Sequence, residues 1–292
     1  MRGISNFVNL LVSLIILLLP VCVYPLEIRG TLITSIPTRD GLVIVADKMV
    51  NDRKRGDQDT VTKIIPISKF VVFTTTGCPE ILDANTFEPS YSVKNIVMKF
   101  YSLYKGNLSD SYTPLSKELL QEFNNFLGKT DYLDWPESID YPDNCLFQVT
   151  FFSFNEIECQ FHTDTIRFLY EKKFPNPSIR IMLYKEPSES FAYSKLFVFG
   201  KTAVFEEIMH GHDSRFDDLR SHNEIKRFLF QQAKIKDISK NEGVRFCKFF
   251  IRESGRLDHL IEPSPFHIGI TVDAGIIDKK KGFLWLERNS SK

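Results

Sequence analysis

The sequence has no excess of charge: 37 lysines and arginines balance 37 aspartates and glutamates, so the formal net charge at pH 7 is zero. A balanced chain has no global field to draw in nucleic acid or an anionic membrane surface, and no nucleic-acid partner is expected. Cysteine is scarce, with five residues, and no C-x-x-C pair of the zinc-binding kind occurs. There is no glycine-rich phosphate loop, no pair of catalytic carboxylates, no basic-aromatic stripe, no internal repeat and no low-complexity linker. No cofactor or metal is therefore expected, and 292 residues with 43% apolar side chains read as one domain with a sizeable core. The 26 phenylalanines are assigned to that core.

The N-terminus has what the rest of the chain lacks, a long uncharged apolar run. Met1-Arg2-Gly3 is a short basic start, and Phe7 through Tyr24 carries no charge. Residues 1–25 read as a signal peptide, which places the chain outside the cytoplasm, secreted or periplasmic. The alternative is a retained membrane anchor, although Pro20 interrupts the run. In that case alone a membrane becomes a partner. Residues 26–30 would then be a short propeptide before a single domain at 31–288.

Hydrophobic spacing gives the elements. Leu42 to Ala46 follows Asp40-Gly41, a hairpin signal, and Val61 to Ile67 and Phe70 to Thr75 continue as strands. Val93, Ile96, Val97, Phe100 and Leu103 recur at helical spacing. Thr113-Pro114 is expected to open a second helix. Residues 128–145 read as a surface loop. Leu146 to Phe154 and Glu158 to Tyr170 read as a strand pair, with Cys145 and Cys159 either bridged across it or free as buried thiols. Ile179 to Tyr184 and Lys195 to Phe199 are extended, and Gly200 begins a helix-like run. Ser221 to Glu224 has the pattern of a capping box, and a further helix covers Glu242 to Glu253. Phe266 to Val272 and Gly282 to Leu286 form a closing hairpin, with Lys279-Lys280-Lys281 a solvated turn.

Thr31, Asp47 and Lys63 stand equally spaced at the edges of apolar runs. A chain-terminal threonine can use its own α-amine as the base that takes its hydroxyl proton. With a reference pKa of about 7.7 to 8.0, such an amine is partly free near neutral pH. Lys63 would add positive potential beside it, and Asp47 would hold that lysine charged and in place. Gly77, after a strand, lacks a Cβ and suits a backbone N–H that donates to an oxyanion.

The words around these residues carry a resemblance. Gly30-Thr31-Leu32-Ile33, then Arg39-Asp40-Gly41-Leu42-Val43-Ile44-Val45-Ala46-Asp47-Lys48, then Thr62-Lys63-Ile64-Ile65-Pro66-Ile67, then Thr76-Gly77-Cys78 resemble the front end of a proteasome-type subunit, one of the N-terminal nucleophile hydrolases. The resemblance covers residues 30 to 80. It implies an α+β fold, a four-layer αββα sandwich of two antiparallel sheets flanked by helices. It implies threonine-type hydrolysis of peptide or other amide bonds after autocatalytic exposure of Thr31, and assembly with further copies. Asp258 corresponds, with one residue inserted, to an aspartate that supports the threonine amine; the family's glycine pair before the final hairpin is absent. The alternative function is a catalytically silent module that keeps the fold for binding or assembly.

Overall fold

The computed structural model describes residues 26–27, 31–52, 56–59, 62–77, 79–82, 89–127, 145–171, 178–186, 196–200, 202–227, 234–261, 268–269 and 271–288. The leader expected at 1–25 and the loop expected at 128–145 lie outside them, apart from Cys145. In chain order come β1 (Leu26–Glu27), β2 (Leu32–Thr38), β3 (Gly41–Asp47), β4 (Met49–Asp52), β5 (Gly56–Asp59), β6 (Ile65–Ser68), β7 (Val71–Gly77), β8 (Glu80–Leu82) and β9 (Pro89–Ser92). Helices α1 (Val93–Leu103) and α2 (Leu108–Leu127) follow, then β10 (Cys145–Asn155), β11 (Gln160–Glu171), β12 (Ser178–Glu186) and β13 (Phe197–Gly200). The chain continues through α3 (Ala203–His210), α4 (Asp217–Ser221), α5 (Lys240–Ile261), β14 (Val272–Asp278) and β15 (Gly282–Glu287).

Two five-stranded sheets dominate, ordered β13-β2-β3-β14-β15 and β12-β11-β10-β7-β6, and all their pairings are antiparallel. The protein is thus α+β, with an arrangement compatible with a sandwich. Alternation along the strands explains its layers. On β3, Val43 and Val45 pack with Phe246, Phe250 and Ile251 of α5, while Leu42, Ile44 and Ala46 face Val72 and Phe152 of the other sheet. Burial on both faces leaves every residue of β3 inaccessible. On β10, Phe147, Val149 and Phe151 turn toward α1 and α2, while Phe152 and Phe154 turn inward between the sheets. Among the described residues many phenylalanines are buried in the core, and Phe147 stacks on Phe168 at 4.3 Å between ring centres.

Several expectations are corrected. Helix α2 begins at Leu108, so Pro114 lies inside it. The first turn is held without that proline, because Asp110 N–H donates to Asn107 and the Ser111 hydroxyl donates to Leu108. Gly200 ends a strand, and the helix after it starts at Ala203. Ser221 ends α4, and its hydroxyl donates back to the Asp218 carbonyl at 2.7 Å. The capping box is instead Ser239 with Glu242: the Glu242 N–H donates to the Ser239 hydroxyl and the Ser239 N–H donates to the Glu242 carboxylate. Helix α5 therefore starts earlier than expected and runs on to Ile261. The closing hairpin pairs β14 with β15, so its first strand is Val272–Asp278. No disulfide joins Cys145 and Cys159: Cys145 is buried at the start of β10, whereas Cys159 is exposed in the turn at the far end of the hairpin.

Candidate active site

The strand ends that carry the expected residues lie at one end of the molecule. Thr31 directly precedes β2, Asp47 ends β3 and Lys63 approaches β6. Antiparallel pairing of β2 with β3, register Ile33 to Ala46, sets the start of the first strand beside the end of the second. Asp47 Oδ1 accepts from the Leu32 N–H at 2.9 Å and from Lys63 Nζ at 2.9 Å. Its Oδ2 accepts from the Gly269 N–H at 3.0 Å. Asp47 is fully buried, with Lys63 at 6% and Thr31 at 4% exposure.

Burial pushes the Asp47 carboxyl above its ordinary range, while the Lys63 ammonium and the Gly269 and Leu32 amides pull it back. Three donors spread over both oxygens leave the group an acceptor only, which is how an ionised carboxylate behaves. A buried ion pair of this kind adds little net stability but is costly to break from one side. Its evident structural effect is registration. Asp47 ties the residue after Thr31, the approach to β6 and the connector after α5 to a single point.

Two glycines shape the surroundings. Gly200 has φ +95°, and a Cβ there would lie 2.0 Å from the Thr31 carbonyl oxygen and 3.3 Å from the Thr76 methyl. Only glycine lets the end of β13 approach Thr31 and the tip of β7 this closely. Gly77, the last residue of β7, has φ +87°, and a Cβ there would strike the Leu146 carbonyl at 2.5 Å. Its packing against β10 already requires glycine, whatever else its amide does. Asp258 falls near the C-terminal end of α5, and its side chain lies outside the described residues.

The sequence reading missed Gly269 as a partner of Asp47, having taken it for a strand residue. It also passed over two buried charges, Lys48 at 3% and Asp273 at 0% exposure. The Lys48 N–H donates to the Thr271 carbonyl at 2.9 Å, and Asp273 pairs with Ala46. A carboxylate between Val272 and Ala274 in an apolar run was the signal available. Among the described residues no group of histidine, cysteine, aspartate and glutamate is placed to hold a metal. No protein-family model matches the chain, and no curated protein matches it.

Proposed function

We propose that the chain is a threonine-type amide hydrolase of the N-terminal nucleophile kind, exported and activated by cleavage before Thr31. The two sheets with helices packed outside them would then be the four layers of that fold. The observation that carries the reading is Asp47, whose carboxylate holds Lys63 and the amide of the residue that follows Thr31. Because this hydrogen bond lies after the cleavage point, loss of residues 1–30 leaves the new terminus anchored. The freed amine would take the hydroxyl proton, the hydroxyl oxygen would attack an amide carbonyl, and the C–N bond would break as the proton passes to the leaving amine. Water would then hydrolyse the resulting ester to release the acid and restore the hydroxyl. Lys63 would keep the amine deprotonated near neutral pH by its charge, and the Gly77 N–H would donate to the oxyanion. Asp258 is retained as a supporting group for the amine.

Peptides or other amides are the proposed substrate class, and assembly of copies is part of the same reading. Export rests on the apolar run at Phe7 to Tyr24; among the described residues no helix is long and apolar enough to cross a membrane. The burial of Thr31 favours a second reading, a silent module that keeps the fold without turnover. Intact mass and N-terminal sequencing of the mature protein, with a panel of fluorogenic amides, separate the two. A terminus at Thr31 with turnover that Thr31→Ala abolishes supports the enzyme. A persistent terminus upstream of Thr31 with no turnover supports the silent module.

A further inference from the structure

Away from that site, α5 and the edge strand β15 enclose a groove of 720 Å³. Four cations line it, Lys240, Arg245, Lys248 and Arg252, against two carboxylates, Glu253 and Glu287. Both carboxylates are already engaged: Glu287 accepts from Lys248 Nζ at 2.6 Å, and Glu253 accepts from Arg256 at 2.9 Å. Lys240, Arg245 and Arg252 are exposed. The basic character continues past the groove. The turn at Lys279 to Lys281 is folded by Asp278, which accepts from the Lys280 and Lys281 amides, and Lys240 lies close enough to lower the Asp278 carboxyl further. In a chain with no net charge this is a local concentration of positive charge, and its function is unaccounted for by the hydrolase reading.

The floor is apolar. Val244 is buried, and the half-buried Phe249 and Leu286 present ring and methyl surface between the cations. His222 stacks on Phe249 at 4.6 Å between ring centres. Lys240 and Arg252 are separated by about 18 Å along a helix that rises 1.5 Å per residue. An extended chain rises about 3.3 Å per residue, so about five or six residues span that length. An edge strand also offers main-chain groups to a peptide laid beside it.

We propose that this groove binds an acidic peptide segment about six residues long, with apolar side chains interleaved among its carboxylates. Cations on the walls and carbon surface on the floor match such a segment. A bare phosphate group would leave the floor uncovered, and a flat membrane surface would not enter a recess. The test is fluorescence anisotropy on the full chain, with a labelled peptide alternating glutamate and leucine. Saturable binding that weakens with salt, and that Lys240→Glu with Arg252→Glu weakens by about tenfold or more, is the expected result. Both positions are exposed, so circular dichroism and thermal unfolding of the double variant should match the parent. Absence of saturable binding at low ionic strength, equal binding of the lysine-leucine counterpart, or unchanged affinity in the double variant each overturns the proposal. Retention on anionic phospholipid vesicles without peptide binding overturns it in favour of a membrane. A dimer in sedimentation that the same double variant abolishes overturns it in favour of a second copy of this chain.

Discussion

Asp47 gathers three separate parts of the chain, and substitutions there separate stability from chemistry. Asp47→Asn leaves the Lys63 ammonium buried without its counterion, and Lys63→Met leaves the carboxylate in the same position. Each is expected to cost about 3–5 kcal/mol, measured by denaturant unfolding. Asp47→Leu combined with Lys63→Met should recover part of that loss, because replacing both partners of a buried pair by apolar groups is far less costly than orphaning one. A loss of turnover in Lys63 variants therefore cannot by itself assign a catalytic role. Thr31→Val is the cleaner probe: it preserves shape, should leave unfolding within about 1 kcal/mol of the parent, and should abolish maturation and amide turnover. Intact hydrolysis by Thr31→Val would end the proposed mechanism.

Among the elements, the caps show where local pattern misleads. Ser221 and Ser239 are each followed three residues later by glutamate, yet only Ser239 caps a helix. The difference lies outside the four-residue word. The chain before Ser221 is already helical, so its hydroxyl donates backward, whereas Ile238 before Ser239 is extended and buried beneath β2 and α5. Ser239→Ala should cost about 1 kcal/mol and Ser221→Ala under about 0.5 kcal/mol in thermal unfolding. The Ser239 amide and hydroxyl, with Arg227, hold the Glu242 carboxyl below its ordinary range. A depressed carboxyl contributes above its unfolded pKa and loses that contribution as pH falls through the folded value. The penalty of Ser239→Ala should accordingly shrink in acid. Strands such as β3 and β10 were legible because each is a run rich in apolar residues, β-branched in β3 and aromatic in β10, as a strand buried on both faces requires. Pro114 was misread because an N1 proline and a proline tolerated within a longer helix have the same local sequence.

At the scale of the whole molecule, three apolar layers carry the stability, and Phe147→Ala, at the centre of the outer helical layer, should cost about 3–5 kcal/mol. The same layer contains Tyr101, whose hydroxyl pairs with Ser111, and Tyr112, which donates to Asp164. Burial pushes Tyr101 up to about 12 and raises Tyr112 also. Their contribution is whole below about pH 10, where both folded and unfolded tyrosines are protonated. It is lost as pH rises toward 12, because the unfolded chain then releases protons that the folded one keeps. Unfolding free energy measured in steps from pH 9 to 12 should fall across that window, less so in Tyr101→Phe. Thiol reactivity follows the same burial. Cys159 should label rapidly in the native state, while Cys247, buried and raised to about 12, should label only on unfolding. Composition revealed the apolar core but not which residues close the site, since Asp47 and Gly269 are 222 positions apart and no local window contains both.

That separation orders events during synthesis. Strand β14 lies between β3 and β15, so until Val272–Asp278 leaves the ribosome, β3 has a bare edge and Asp47 lacks the Gly269 amide. The proposed nucleophile is translated well before Gly269 and β14, so its surroundings are incomplete until those have been made. If Thr31 is the nucleophile, a chain lacking Gly269 and β14 is expected to be inert at this site, and cutting before Thr31 would wait until that segment has folded.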